Sequence, residues 1–576
     1  MTNHELAAAF DQIADLLEFQ GANPFRVRAY RNAARAIHDL PQAAVDLVAE
    51  RRDALSRIEG IGKDLAEKAA VLLETGSLPL LEELRAAVPE SVLALLRVPG
   101  LGPKRAAQLF HELNVATLEQ LRQACEEHKI QALKGFGPKL EAAILEGLDL
   151  ADESQRRILW IEADQIVQEI LRHLHGCRAI SRIAAAGSYR RGKDTVGDLD
   201  FLVVAHDAAE AMDRLAKLPA VESVLQRGET KMSVRLSSGV QVDLRVVQAE
   251  SFGAALQYFT GSKEHNIMLR SRAKLKNLKI NEYGVFRGEK AVAGREEEEV
   301  YAALDLPCFP PELREARREF EWADTGQLPK LIELEDLCGD LHAHSTWTDG
   351  QATIAEMAQA AKKRGLKYLA ITDHSQRVAM VGGLNAERLR QQWAEIDKLN
   401  RRLHDFTVLK GVEVDILEGG GLDLPDDLLA EADWVVASIH YGQNQPREQI
   451  TRRAIEALEN PYVHVLGHPT GRMLLRRKPY QIDLEAVMKA AKVKGKMLEL
   501  NAHPQRLDLD DVACAAAKSL GVLIAIGTDA HHADGLDVLR CGVLQARRGG
   551  LTKADVVNCL TWPQLRELLA RARAPK

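Results

Sequence analysis

From Gly339 onward the chain alternates seven times between a short apolar run and a helix-like stretch, and nearly every apolar run ends on a side chain able to bind a metal. The runs close on Leu341-His342-Ala343-His344, Ile371-Thr372-Asp373-His374, Gly411-Val412-Glu413, Ser438-Ile439-His440, Leu466-Gly467-His468, Glu499-Leu500-Asn501 and Thr528-Asp529-Ala530-His531. Strands alternating with helices of about a dozen residues or more are the pattern of a parallel βα barrel. In such barrels the strand ends share one mouth, so side chains far apart in sequence converge there. His342, His344, Asp349, His374, Glu413, His440, His468, Asp529 and His531 are the candidate metal ligands. Their mixture of imidazole and carboxylate suits Zn²⁺ or Mn²⁺ better than Mg²⁺. His464 lies at the wrong end of its strand and, with His503 and His532, is set aside. Arg472 and Arg506 are either phosphate clamps or ordinary surface arginines.

A second constellation lies upstream. Gly187-Ser188-Tyr189-Arg190-Arg191-Gly192 is followed by Gly197-Asp198-Leu199-Asp200 and the apolar run Phe201-Leu202-Val203-Val204. Strand side chains alternate faces, so Asp198 and Asp200 point the same way. A third carboxylate, Asp243, sits in Val240-Gln241-Val242-Asp243-Leu244-Arg245-Val246, on the polar face of another strand. Three carboxylates can hold two Mg²⁺ or Mn²⁺ ions about 3.5 to 4 Å apart. The Gly187-Ser188 turn, with Arg191, would cradle a polyphosphate beside them.

These residues resemble the nucleotidyltransferase signature of the family X DNA polymerases, matched by Gly187, Ser188, Arg191, Asp198, Asp200 and Asp243. Tyr258-Phe259-Thr260-Gly261-Ser262 and Asn266 resemble that family's pocket for the incoming nucleotide. The resemblance implies that Tyr258 and Phe259 pack the sugar and exclude a 2′-hydroxyl, with Gly261 beside them and Asn266 on the base or sugar edge. Gln241 departs from the arginine that the family often carries there. The C-terminal half resembles the PHP (polymerase and histidinol phosphatase) domain, with all nine ligand positions filled; up to three metals are implied, Glu413 bridging two.

The first ~150 residues read as helices. Arg26, Arg28, Arg31 and Arg35 crowd one segment, a solvated face or a phosphate-contacting one, behind a helix start at Asn23-Pro24-Phe25. An apolar-Gly-x-Gly turn then recurs three times: Gly60-Ile61-Gly62, Gly100-Leu101-Gly102-Pro103-Lys104 and Gly135-Phe136-Gly137-Pro138-Lys139. Glycines bring bare backbone N–H groups up to a phosphate at the start of the next helix. The turns are plain connectors or, by resemblance, helix-hairpin-helix motifs that grip DNA backbones without reading sequence. Lys68 aligns with a Schiff-base lysine of family X relatives that remove 5′-deoxyribose phosphate; a surface ion-pair lysine is the alternative.

The expected architecture is multidomain α/β: a helical DNA-binding and lyase-type domain over 1–90, fingers over 91–150, a nucleotidyltransferase palm over 151–250, a thumb over 251–320, a linker over 321–337 and a (β/α)7-type PHP barrel over 338–576. At 576 residues the chain exceeds one core. Seven cysteines without a Cys-x-x-Cys pair signal neither a disulfide framework nor a thiolate zinc site. No apolar run reaches membrane length and the first residues lack a basic secretion start, so a cytoplasmic protein is expected; the family resemblance implies a bacterial, nucleoid-associated one, and a monomer is expected. A net charge of −7 argues against a nucleic-acid binder taken in bulk, but local backbone N–H groups and aligned basic residues can do that work.

The expected function is template-dependent gap filling in base excision repair, on gapped or nicked duplex DNA with deoxynucleoside triphosphates. The barrel adds a 3′–5′ exonuclease or 3′-phosphatase, with abasic-site cleavage as a further implied activity. Two alternatives stay open: another nucleotidyltransferase, and a DNA-binding scaffold whose hydrolase alone is active.

Overall fold

The computed structural model describes residues 3–38, 44–58, 60–87, 92, 95, 98, 101, 103–133, 135–138, 140–142, 144–145, 148, 157–475, 477 and 479–573. They form two compact units, Met1–Arg156 and Arg157–Lys576. Among the described residues, no helix is long and apolar enough to cross a membrane.

The first unit is helical. Pro24 opens the helix Pro24–His38, at the position where its missing N–H is harmless, and Asn23 Oδ1 accepts from Phe25 N at 2.9 Å. One backbone hydrogen bond recurs at the three glycine turns. Ile61 N donates to Ile58 O at 3.0 Å, Leu101 N to Val98 O at 3.0 Å and Phe136 N to Leu133 O at 3.1 Å. Ile61, Leu101 and Phe136 are each buried in the unit's core, which anchors each turn from below. Gly60 (φ +94°) and Gly135 (φ +89°) hold left-handed backbone that a side chain would strain. Gly62 caps the helix Lys63–Thr75, and Leu140 N donates to Gly137 O at the start of the third turn's helix. Gly100, Gly102 and Lys139 lie outside the described residues, as does the side chain of Lys104.

The second unit begins with a five-stranded sheet. Its strands are β1 (Ile180–Ala185), β2 (Asp198–Ala205), β3 (Val221–Arg227), β4 (Lys231–Leu236) and β5 (Gln241–Val246), in the order β1-β2-β5-β4-β3. Only β2 and β5 pair in parallel. Leu199, Phe201 and Val203 bury one face of β2 against a cluster that includes Val167 and Ile170, and this turns Asp198 and Asp200 to the other face.

Helices Phe252–Thr260 and Lys263–Leu275 and an antiparallel sheet of β6 (Lys279–Asn281), β7 (Gly284–Arg287) and β8 (Lys290–Ala293) follow. The segment expected to be a linker is packed. Ala323 and Leu328 pack, partly buried, against the preceding core, Ile332 N donates to Leu551 O at 3.1 Å, and Ile332 and Leu337 are buried in the next one.

The barrel strands are β9 (Gly339–Ala343), β10 (Tyr368–Ile371), β11 (Thr407–Asp415), β12 (Trp434–Ser438), β13 (Val465–Leu466), β14 (Met497–Asn501) and β15 (Ile524–Gly527). All seven are parallel and adjacent in chain order. First and last meet through His344 N donating to Ala530 O (2.8 Å) and Asp529 N donating to His342 O (2.9 Å).

Candidate active sites

The palm carboxylates are arranged by register. Asp200 on β2 is paired directly with Asp243 on β5, and Asp198 with Gln241. Asp200 is pushed up to about 7 by burial and by the nearby charges of Asp198 and Asp243. Such crowding is what a bound cation relieves, so the three residues fit a divalent ion. Asp243 is held differently: burial alone would raise its carboxyl, but Lys231, Gln241 and Ser233 hold it low. Lys231 Nζ lies 2.7 Å from Asp243 Oδ2, and Gln241 Nε2 donates to Oδ1 at 2.9 Å. Among the described residues, the sets of three or more metal-capable groups with ligand atoms within 4.8 Å of one another all lie in the barrel; the palm aspartates are not gathered so closely.

Gly187–Arg190 forms a one-turn helix against these carboxylates. Arg191 is engaged within the protein: Nη1 donates to Thr260 O at 2.5 Å and Nε to Glu315 Oε1 at 3.1 Å. Gly261 follows Thr260, and a β-carbon there would lie 3.3 Å from Arg191 Nη1. Tyr258 and Phe259 meet edge to face at 5.1 Å, with the Arg245 guanidinium 4.4 Å above Phe259. The Asn266 side chain braces this helix end, donating to Tyr258 O and accepting from Gln257 Nε2, both at 2.7 Å.

In the barrel, three groups gather ligand atoms within 4.8 Å: His344, Asp349, His374 and His531; His342, His344 and Asp529; and His374, Glu413 and His440. His468 joins them with Nε2 3.0 Å from Glu413 Oε1. All nine predicted residues thus meet at one mouth, with Glu413 central. His342 Nε2 and His344 Nδ1 are buried without a hydrogen-bond partner, and His374 Nδ1 is crowded 2.8 Å from Glu413 Oε2, an arrangement that is costly unless a cation satisfies it. Burial would raise the Glu413 carboxyl, but His374, His440 and His342 hold it well below the usual range. The donor set fits divalent metals. Arg506 Nε stands 3.5 Å from Asp529 Oδ2, at the mouth. Arg472 does not: it is half-buried, donating to Arg506 O at 2.9 Å and Leu507 O at 2.5 Å.

Lys68, in the first unit, pairs with Asp64 at 2.5 Å and lies 5.6 Å above the Tyr30 ring. Burial pulls its pKa down, but Asp64 and Tyr30 outweigh it and the net direction is upward. That is the opposite of what a Schiff-base nucleophile needs.

Family comparisons follow the same layout. Residues 1–78 match a helix-hairpin-helix domain, 92–149 a SAM-like helix-hairpin-helix tandem, 157–248 the DNA polymerase beta palm, 255–315 the DNA polymerase beta thumb and 340–503 the PHP domain. The chain is 42% identical to the DNA polymerase/3′-5′ exonuclease PolX of Bacillus subtilis (strain 168), over 99% of this chain and 100% of that protein. This chain belongs to the family X DNA polymerases with a C-terminal PHP domain. The barrel of this family X member also stands by itself among relatives. A probable phosphatase of Thermoanaerobacter sp. (strain X514) is 33% identical over 38% of this chain and 89% of its own length. A probable phosphatase of Acetivibrio thermocellus is 36% identical over 33% of this chain and 78% of its own length. The PHP match ends before Asp529 and His531, which only the closed barrel brings to the other seven.

Several residues of this family X chain were missed from sequence. Glu499 Oε1 lies 2.6 Å from His342 Nδ1, and Asp415 Oδ1 lies 3.0 Å from His440 Nδ1. Asn501 Nδ2 donates to Asp529 Oδ2 at 3.1 Å. These partners orient candidate ligands. The available signal was a carboxylate inside an apolar strand, as in Leu498-Glu499-Leu500, which burial obliges to find a partner.

Proposed function

We propose that this family X polymerase extends a primer 3′ end across short gaps in duplex DNA at the palm and trims 3′ ends by phosphoester hydrolysis at the barrel. One observation carries the reading. A crowded carboxylate pair lies against the Gly187 turn in one place, and eight ligand-type side chains gather with Glu413 in another.

In the palm, Asp198, Asp200 and Asp243 hold two Mg²⁺ or Mn²⁺ ions. Ser188 and Arg191 bind the triphosphate, Arg191 leaving Glu315 to do so. Tyr258, Phe259 and Gly261 shape the sugar pocket, and Asn266 fixes that helix end. In the barrel the nine residues hold Zn²⁺ or Mn²⁺, up to three ions, and Arg506 reaches the substrate phosphate. When bound, such ions acidify an attacking oxygen and neutralise the charge that builds on phosphate. Glu499 and Asp415 fix the rings of His342 and His440. Gly60, Gly62, Gly100, Gly102, Gly135 and Gly137, with Lys104 and Lys139, hold the DNA backbone. The same reading places the protein in the cytoplasm as a monomer acting on gapped or nicked DNA.

A gapped duplex incubated with Mn²⁺ and nucleotides tests this, comparing Asp200→Ala with His344→Ala. The first loses extension only and the second loses trimming only. One substitution abolishing both would break the two-centre reading. A scaffold with only the hydrolase active is the second reading, favoured by the engagement of both Asp243 oxygens with Lys231 and Gln241. Asp200→Ala extending primers as well as the parent would establish it.

A further inference from the structure

The barrel helix Leu539–Arg548 begins just after the strand end that carries Asp529 and His531. Arg540, Leu544 and Arg548 are spaced by four, so they lie on one face of it. All three touch the palm turn or its supports.

Arg540 Nη1 donates to Asp164 Oδ2 at 2.6 Å, and its guanidinium lies 5.4 Å over the Trp160 ring. The other Asp164 oxygen accepts from Tyr189 OH at 2.6 Å. Tyr189 also stacks on Trp160 at 5.6 Å and 5°, and its carbonyl accepts from Trp160 Nε1 at 3.0 Å. Tyr189 is therefore held at ring, hydroxyl and backbone by groups that Arg540 ties together.

Leu544 lies directly under the end of the turn. A β-carbon on Gly192 (φ +67°) would stand 2.5 Å from Leu544 Cγ. Arg548 is buried, and its Nη1 donates to Arg191 O at 2.7 Å and to Glu315 Oε1 at 3.0 Å. Its Nη2 donates to Asp511 Oδ2 at 2.6 Å. Glu315 Oε1 also accepts from Arg191 Nε, so Arg548 decides where the partner of Arg191 sits.

We infer that the Arg540–Leu544–Arg548 face of this barrel helix is a positioning element for the palm reaction, holding the turn Gly187–Gly192 in the shape that receives the nucleotide triphosphate. The inference rests on the proposed triphosphate role of Ser188 and Arg191. Its physical content is an exchange. When Arg191 leaves Glu315 for a phosphate, the half-buried Glu315 carboxylate still needs a cation within hydrogen-bond reach; Arg548 Nη1 stays at 3.0 Å, while Lys193 Nζ stands farther off at 3.6 Å. Without Arg548, the more distant Lys193 competes less well and Glu315 would retain Arg191.

Single-nucleotide insertion on a gapped duplex with Mg²⁺ and dTTP tests this in the full chain, using Leu544→Ala, Arg548→Lys and Arg191→Ala. Lysine keeps a charge but not the planar fork that serves three acceptors. Leu544→Ala and Arg548→Lys each raise the nucleotide KM about tenfold, with kcat within about twofold. Trimming of a single strand stays at the parent rate, whatever fall in Tm the lost packing brings. An unchanged KM in both variants, with a raised KM in Arg191→Ala, overturns the inference and leaves the nucleotide reading standing. An unchanged KM in Arg191→Ala removes that reading and the inference with it. Insertion, trimming and Tm falling together would reduce the helix to ordinary packing and overturn the inference as well.

Discussion

Gly187 lies so close to Asp200 that a β-carbon on the glycine would stand 2.5 Å from the carboxylate Oδ2. The glycine also holds φ +65°, where a side chain costs about 1–2 kcal/mol. The close approach seats the turn against β2, and under the proposed function it would bring a triphosphate held by the turn to the carboxylates.

Gly187→Ala accordingly displaces the turn from Asp200. A misplacement of that size costs roughly 100-fold in rate. Primer extension should fall by about that factor, while 3′ trimming and circular dichroism remain those of the parent. Extension at the parental rate would show that the close approach is not needed.

Glu499 touches His342 Nδ1 and accepts from the His468 backbone N at 2.5 Å. Glu499→Gln keeps the shape but removes the charge that orients the ring, an effect typically worth 10–100-fold, by order of magnitude, in metal affinity. Competition against a chelating indicator should show weaker Zn²⁺ and Mn²⁺ binding, with slower trimming and unaltered extension. Parental affinity would assign Glu499 to packing alone.

Acid should loosen the joint between palm and thumb. Glu297 is salt-bridged to Arg190 at 2.8 Å and hydrogen-bonded to the buried Arg314. Burial would raise its carboxyl, but the two arginines outweigh it and hold it at about 2, against an ordinary 4.5. A depressed folded pKa stabilises above the unfolded value, and that stability is lost as pH falls from 4.5 through about 2. The contribution is on the order of 3 kcal/mol. Glu297→Gln should lower Tm at neutral pH and flatten the acid limb of Tm against pH; an equally steep limb would place the acid sensitivity elsewhere.

Lys68 is kept protonated by its neighbours, so borohydride should trap little Lys68 adduct on a 5′-deoxyribose phosphate end at neutral pH. Removing the carboxylate, in Asp64→Asn, should increase trapping. Abundant Lys68-dependent adduct in the parent at neutral pH would contradict this reading.

Much of this was legible because the relevant signals are local. Alternation in Asp198-Leu199-Asp200 set a shared face, Gly-x-Gly spacing marked the hairpins, and a ligand at nearly every strand end of Gly339–His531 implied a common mouth. What was not legible depends on pairing across long separations. Glu499 and Asp415 look like strand residues until the barrel brings His342 and His440 to them. Arg191 and Arg472 look like free phosphate clamps until Glu315, Thr260 and the carbonyls of Arg506 and Leu507 take their donors. The stretch before Leu337 looks like a linker until its apolar residues find a core.

By itself the sequence determined which elements form and which side chains can do chemistry, because periodicity, turn residues and ligand types are properties of neighbouring positions. Only the tertiary structure decided which charges neutralise one another and which remain for a cation or a phosphate. Coulomb interactions and burial depend on distance in space, and Arg548 reaches Arg191 across 357 residues of chain.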